Sequence, residues 1–149
     1  MSGLSIRRMQ LEDIDAVLVV EKQAFTTPWS RTAFEEELGN NDLAHYLVVT
    51  DNGRIAGYGG FWVVVDEAHV TNIALSSEYH GRGLGSLLLE HMILAAKLAG
   101  AVSMTLEVRP SNTAARKLYS RRGFTERGIR PNYYAEIGED ALIMWLDNL

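Results

Sequence analysis

The chain opens with an alternating pattern of apolar and polar residues and then changes to a helical one. Residues 4–9, LSIRRM, alternate like a strand, whereas apolar positions over residues 11–25 recur every three to four residues. That spacing predicts a helix with one apolar face, made of Leu11, Ile14, Leu18 and Phe25. A second helix is predicted to follow an N-cap at Ser30 and to end at Gly39. Trp29 and Phe34 flank this cap at the spacing of a hydrophobic staple.

Residues 44–75 are rich in strand-forming residues and contain two turn signals. Asn52-Gly53 is typical of a two-residue hairpin turn, and Asp66-Glu67 marks a second turn. Three consecutive strands are therefore predicted to pair antiparallel.

The second half of the chain changes period several more times. A helical pattern runs from 84 to 100, with one apolar face made of Leu84, Leu88, Met92, Ala95 and Leu98. A strand over 103–109, a helix with Ser111 as its cap and Gly123 as its stop, and two strands over 124–134 and 139–148 follow. The order β-α-α-β-β-β-α-β-α-β-β predicts an α/β protein of mixed α+β type. Its sheet would have seven mainly antiparallel strands with one βαβ crossover near residues 70–108, flanked by about four helices.

Composition narrows the class of protein. A length of 149 residues predicts a single domain over 1–149, and 47% hydrophobic with 22% charged residues is ordinary for a globular protein. The first ten residues lack an apolar signal-peptide core, and no apolar run is long enough to cross a membrane. The absence of cysteine excludes disulfides, thiolate metal sites and a cysteine nucleophile. We therefore expect a cytoplasmic protein.

The net charge of −5 argues against a nucleic-acid surface but permits a basic peptide as partner. The four histidines, at positions 45, 69, 80 and 91, show no metal-ligand spacing such as HExxH, so they are interpreted as ordinary surface or sheet residues and no metal is expected.

A turn with three glycines separates the strand near residue 75 from the helix that begins near 84. Gly81, Gly83 and Gly85 alternate with Arg82 and Leu84. Glycine lets a ligand approach the backbone, and a helix start offers unpaired N–H groups with a partial positive charge, so the turn is typical of a phosphate site. A tight turn that needs glycine for geometry alone is the alternative. No lysine-serine or lysine-threonine pair follows, which argues against a Walker loop, and a dinucleotide fingerprint normally follows the first strand of a parallel series.

The stretch HGRGLGSLLL, after VTNIAL, resembles the acetyl-CoA pyrophosphate motif of the GNAT family of N-acetyltransferases. The family pattern has Gln or Arg where this chain has His80. The resemblance implies the GNAT fold and acetyl-CoA as co-substrate. It implies that the pyrophosphate is held by Gly81, Arg82, Gly83, Leu84, Gly85 and Ser86. It also implies that the backbone of Ile73, Ala74 and Leu75 pairs with the pantetheine arm and that Asn112 contacts acetyl-CoA.

Three more stretches, AFTTPWS, TLEVRPSNTAARKLYSRRGF and RPNYYAEIGEDALIMW, resemble the RimI-like branch of that family, which acetylates the N-terminal alanine of a ribosomal protein. By this resemblance Glu107 is the proton acceptor and Tyr119 the general acid. From the residues alone, Glu107 is equally well a solvated carboxylate or a partner of Arg109, and Tyr119 a core aromatic. With no cysteine and no Gly-x-Ser-x-Gly elbow, direct attack by the amine is favoured over an acyl-enzyme.

Trp29, Tyr133 and Tyr134 stand in the two regions that flank the peptide entrance of RimI-like enzymes, although packing of loops onto the sheet is an equal alternative. The expected substrate is the N-terminal peptide of small-subunit ribosomal protein eighteen, with no nucleic acid and no membrane as partner. Three alternatives stay open: acetylation of a small amine, acetylation of lysine side chains, and a CoA-binding module without turnover.

Overall fold

The computed structural model describes residues 3–25 and 27–149. The strands are β1 (Leu4–Arg8), β2 (Ala44–Asp51), β3 (Arg54–Val64), β4 (Glu67–Leu75), β5 (Ser103–Val108), β6 (Thr125–Tyr134) and β7 (Glu139–Asp147). The helices are α1 (Ile14–Ala24), α2 (Arg31–Gly39), α3 (Leu84–Leu98) and α4 (Thr113–Arg121), and short 3-10 turns cover Leu11–Asp13, Ser77–Tyr79 and Ala135–Ile137. The predicted order of elements and the mixed α/β class are confirmed.

All seven strands form one sheet in the order β1-β2-β3-β4-β5-β7-β6. Only β4 and β5 are parallel, and α3 makes the crossover between them. The β2–β3 hairpin turns at Asn52 and Gly53, whose φ angles of 49° and 86° are those of the tight turn that the sequence predicts. The second turn lies at residues 65–66, one position earlier than expected, because β4 already begins at Glu67.

Helices cover both faces of the sheet. On one face α1 and α2 enclose a cluster that includes Ile14, Phe34 and Tyr58, and on the other α3 and α4 enclose one that includes Leu88, Met92 and Tyr119. These layers bury the two apolar sides of the strands, as a sheet with alternating inward positions requires.

The helical faces differ in part from the prediction. α1 begins only at Ile14, after a 3-10 turn, so its buried side runs through Ile14, Val17, Val20 and Glu21. Leu11 and Phe25, which were expected on that face, are 59% and 37% exposed. Likewise Leu98 at the end of α3 is 81% exposed, because the buried stripe of that helix passes through Ile93 and Ala96 instead.

The centre of β4 contains a bulge. Gly60 pairs with Asn72 and Phe61 pairs with Val70, which leaves Thr71 as an extra residue. Because side chains alternate across a strand, one extra residue exchanges the two faces. Accordingly Val70 packs in the α3 cluster, whereas Ala74, four residues later, packs in the α1 cluster. The Thr71 hydroxyl lies 3.1 Å from the Tyr46 hydroxyl, which also donates to Glu37 at 2.6 Å.

The parallel pair β4–β5 is short. Only Glu67–His69 pair with Ser103–Thr105, although β4 continues to Leu75 and β5 to Val108. Beyond His69 and Thr105 the two strands diverge and leave an opening in the middle of the sheet.

The start of α2 allows a direct test of the local reasoning. The Ser30 hydroxyl accepts a hydrogen bond from the Ala33 N–H at 3.1 Å, and the Trp29 and Phe34 rings lie 5.3 Å apart, so the predicted cap and staple are both confirmed. We expect Ser30→Ala to lower the free energy of unfolding by about 1 kcal/mol and Ser30→Gly by only a few tenths, measured by urea denaturation. An unchanged stability in Ser30→Ala would show that the hydroxyl is not acting as a cap.

Candidate active site

The free edge of β4 lines the opening beside β5. The Ser76 N–H donates to the Ala56 carbonyl at 2.8 Å, which makes Ser76 and Ala56 a hydrogen-bonded pair of the β3–β4 ladder. Alternation in an antiparallel ladder then turns the backbone groups of Leu75 and Ile73 away from β3, toward the opening. Ala74 instead directs its backbone groups to β3. Of the three residues proposed for the pantetheine arm, two therefore present backbone donors and acceptors to the opening.

The glycine turn lies at the end of this edge. Gly81 and Gly83 both have φ of 78°, the left-handed region that glycine adopts without strain, and Gly83 is the N-cap of α3. Gly83 has no side chain to occupy the N–H groups of the first helical turn, so these donors stay free for an anion. A Cβ built on Gly81 or Gly83 meets no atom within 4 Å, so this surface is open to a ligand.

The other residues of the turn contribute in different ways. Gly85 serves close packing, since a Cβ there would lie 3.3 Å from Leu118 and 3.6 Å from Leu75. The Leu84 side chain is buried, and Leu84, like Ser86, can offer a backbone N–H to the turn. Arg82 lies over the Tyr79 ring at 5.4 Å. These backbone donors and the open glycines fit a pyrophosphate group.

His80 occupies the position where the family pattern has Gln or Arg. Its Nε2 lies 3.0 Å from the Leu75 carbonyl oxygen, which faces the opening. His80 therefore contacts the same backbone edge that was proposed for the pantetheine arm.

Glu107 lies on β5 two residues beyond Thr105, the last residue paired with β4. Its side chain is 8% exposed. One carboxylate oxygen lies 2.7 Å from Nε2 of His69 and the other 3.4 Å from the Arg130 guanidinium. The expected pairing of Glu107 with Arg109 is not among the ion pairs between described residues. His69 was interpreted as an ordinary sheet residue, and the structure instead places it on the candidate proton acceptor.

Tyr119 lies on α4 with its ring in the core, 5.7 Å from Phe124. Burial, and to a smaller degree the neighbouring Tyr134, raises the pKa of the Tyr119 hydroxyl well above its usual value, so the phenol is protonated at neutral pH. The ring packs as a core aromatic, which is one of the two interpretations given above. The hydroxyl is protonated, as a general acid must be.

Tyr133 and Tyr134 are brought to the site by an irregularity in β6. Arg130 pairs with Ala141 and Tyr134 pairs with Glu139, so β6 has two more residues than β7 over this interval. Asn132 has φ of 53°, and its N–H donates to the Asp140 carboxylate at 2.7 Å. The two tyrosine rings meet edge to face at 5.1 Å, and burial with nearby negative charge, including Glu107, raises the pKa of Tyr134 to about 12.

Trp29 is held from below by a buried carboxylate that the sequence analysis missed. Glu21 is 1% exposed. Its carboxylate accepts one hydrogen bond from the backbone N–H of Trp29 at 2.7 Å and another from the Tyr58 hydroxyl. Tyr58 in turn accepts a hydrogen bond from Asn72, beside the bulge, at 3.2 Å. Trp29 itself packs on Phe34, so the packing alternative accounts for the contacts of its ring.

Asn112 is used as the N-cap of α4. Its Oδ1 accepts the Ala115 N–H at 3.2 Å, a role that the sequence analysis gave to Ser111. Ser111 instead donates its hydroxyl to Glu139 at 2.6 Å. The contact of Asn112 with acetyl-CoA stays a prediction.

Two concavities lie away from these residues. One of about 410 Å³ lies between α3 and the segment after β7, and one of about 300 Å³ lies between the residues that end and follow β1, the end of α2 and the start of β2. Within residues 3–25 and 27–149, no three His, Asp or Glu side chains are grouped so as to hold a metal ion. Over the same residues no helix has the length and apolarity needed to cross a membrane.

Comparison with known proteins gives a consistent result. The model of the acetyltransferase (GNAT) family matches residues 14–124. A Bacillus subtilis protein, provisionally named a ribosomal protein bS18-alanine N-acetyltransferase, is 47% identical over 95% of this chain and 94% of its own length. The Escherichia coli strain K12 ribosomal protein bS18-alanine N-acetyltransferase is 40% identical over 95% and 96%. The crystal structure of the Escherichia coli ribosomal-protein-S18-alanine N-acetyltransferase has a TM-score of 0.88 at 38% identity, with 97% of this chain and 94% of that chain covered.

The cap of α3 offers a test of phosphate binding. Asn and Asp both tolerate positive φ, so Gly83→Asn and Gly83→Asp strain the turn to a similar degree, but only Asp adds a negative charge at the free N–H groups. We expect acetyl-CoA to bind Gly83→Asp at least about tenfold more weakly than Gly83→Asn, measured by calorimetry on folded protein. Equal affinity for the two variants would place the pyrophosphate elsewhere.

Proposed function

Because the chain belongs to the GNAT family of acetyl-CoA-dependent N-acetyltransferases, we propose that it acetylates the N-terminal alanine of ribosomal protein bS18. This is the activity in the names of relatives that match almost the whole chain. A ribosomal protein is made and assembled in the cytoplasm, which is where we place the enzyme.

The proposal rests chiefly on the position of Glu107. This nearly buried carboxylate stands at the point where β4 and β5 part, close to the edge formed by Ile73 and Leu75. Tyr134 lies near both groups: besides burial, the charge of Glu107 helps to raise the pKa of Tyr134, and besides burial, Tyr134 helps to raise that of Tyr119. A base, an acid and an open strand edge are the groups that acyl transfer to an amine requires.

The residues have distinct tasks in this mechanism. Acetyl-CoA supplies an acetyl thioester, and the glycine turn holds its pyrophosphate. Glu107 accepts a proton from the amine through a water, while His69 fixes the orientation of the carboxylate. An N–H on the open edge of β4 donates to the thioester oxygen as negative charge develops there. The Tyr119 hydroxyl gives its proton to the departing thiolate, which completes cleavage of the carbon–sulfur bond.

An α-amino group suits this site better than a lysine. Its pKa is about 7.7–8.0, against about 10.4 for lysine, so a carboxylate can help to deprotonate it at neutral pH. Tyr133 and Tyr134 border the same carboxylate and leave space for a small first residue. The net charge of −5 favours a basic peptide.

The role of Tyr119 can be separated from its packing. We expect Tyr119→Phe to lower kcat by roughly a hundredfold, since acid–base groups contribute about 10²–10⁴-fold, while the Kd for acetyl-CoA stays within about twofold. Steady-state kinetics and calorimetry on the same preparation measure both. A variant with wild-type kcat would leave Tyr119 as a core aromatic only.

The substrate is tested with one peptide that carries an N-terminal alanine and an internal lysine. We expect mass spectrometry to find the acetyl group on the α-amine, at a rate at least about tenfold above that on lysine, because the amines differ by roughly 3 kcal/mol in deprotonation cost. A matched peptide with a bulky first residue should react more slowly. Acetylation chiefly on lysine would reject the alanine N-acetyltransferase assignment, and activity only on small amines would favour that alternative.

A further inference from the structure

Both oxygens of the candidate base already have partners in the free protein. His69 on β4 contacts one oxygen at 2.7 Å, and Arg130 on β6 contacts the other at 3.4 Å. The two partners come from opposite sides of β5, since β4 is its neighbour on one side and β7, with β6 beyond it, lies on the other. Glu107 is therefore held between a histidine within hydrogen-bond distance and a guanidinium that forms an ion pair with it.

Arg130 also contacts the proposed peptide entrance. Its guanidinium lies 5.4 Å from the centre of the Tyr133 ring, and that ring meets Tyr134 at 5.1 Å. The irregular segment after Arg130 brings this contact about, because the two extra residues of β6 turn Tyr133 back toward the preceding arginine. The Arg130 side chain thus contacts both the Glu107 carboxylate and the Tyr133 ring.

Arg130 differs in charge from the other groups around Glu107. The groups that face this carboxylate in the described part of the chain are His69, Arg130, Tyr133 and Tyr134. Arg130 is the permanent cation of the set, since the histidine is charged only when protonated and the tyrosines are neutral at physiological pH. A planar guanidinium also presents its N–H groups in a fixed geometry, so it is suited to hold a carboxylate in one orientation.

We propose that Arg130 is a positioning residue of the acetyl transfer: it orients the Glu107 carboxylate and fixes Tyr133 at the entrance, so that base and peptide wall are set by one guanidinium. The inference rests on the proposed function, in which Glu107 is the base. Arg130 is 54% exposed, so solvent screening makes its ion pair with Glu107 weaker than an ion pair with a buried cation.

Arg127 provides a matched control. It lies on the same strand and pairs with Asp147 at 3.1 Å, on the exposed surface. We compare Arg130→Met, Arg130→Lys and Arg127→Met in full-length protein. Initial rates of acetyl transfer give kcat and KM for the alanine peptide and for acetyl-CoA, and calorimetry without acetyl-CoA gives the Kd of the peptide.

In Arg130→Met we expect kcat/KM for the alanine peptide to fall about five- to twentyfold, with the KM for acetyl-CoA unchanged and the peptide Kd raised about two- to fivefold. Arg130→Lys should restore kcat but not the peptide Kd, because an ammonium does not stack on Tyr133 as a guanidinium does. Arg127→Met should match the wild type in both measurements.

A wild-type kcat/KM and a wild-type peptide Kd in Arg130→Met would overturn the inference, as would an equal change in Arg127→Met. The peptide Kd needs no turnover, so it separates this inference from the proposed function. A wild-type protein that acetylates no alanine peptide would refute the proposed function, and with it any role of Arg130 in catalysis.

Discussion

Backbone N–H and C=O groups inside a protein need hydrogen-bond partners. In the middle of this sheet, a row of such groups has no partner on a neighbouring strand. The parallel strands β4 and β5 hold together over three residues each and then separate, so Ile73 and Leu75 present their backbone groups to the opening. The other parts of the site are arranged around this edge. The glycine turn stands at its far end, the base at its near end, and the bulge at Thr71 in its middle. We expect an extended arm with amide groups to complete the ladder in place of β5.

Two nearly buried carboxylates, one on α1 and one on β5, show how side chains around the sheet are held in place. Burying a charge is costly unless hydrogen bonds compensate, and a group that bears this cost is usually held in one geometry by its partners. Glu21 accepts hydrogen bonds from the backbone N–H of Trp29 and from the Tyr58 hydroxyl, which connects the loop before α2 to the strands beneath it. Glu107 is held in a similar manner by His69 and Arg130. The first network holds the backbone of Trp29, and the second holds the proposed base.

The fold followed from the sequence to a large extent, because each element has a local signal: alternation for the strands, Asn52-Gly53 for the hairpin, Ser30 with its staple for α2. The glycine turn was found for the same reason. The contacts of Glu107 were not, since His69 lies 38 residues before it in the chain and meets it only through the register of a parallel pair.

Two other features, the bulge in β4 and the buried Glu21, were also not predicted from the sequence. The bulge is one extra threonine in a strand of ordinary composition. Glu21 did have a signal, since it shares a helical face with Ile14 and Val17, and a charged residue at an apolar position is itself informative.

The order of the strands has a consequence for how the enzyme is made. β7 follows β6 in the chain but lies between β5 and β6 in the sheet. During synthesis the edge of β5 that carries Glu107 therefore has no neighbour until residues 139–147 emerge, about thirty residues after β5 is complete. At roughly 5–20 residues per second this wait lasts a few seconds. Until β7 is inserted, the base, the arginine beside it and the tyrosines of the entrance are not assembled, so a growing chain has no partial activity and gains its site in one step.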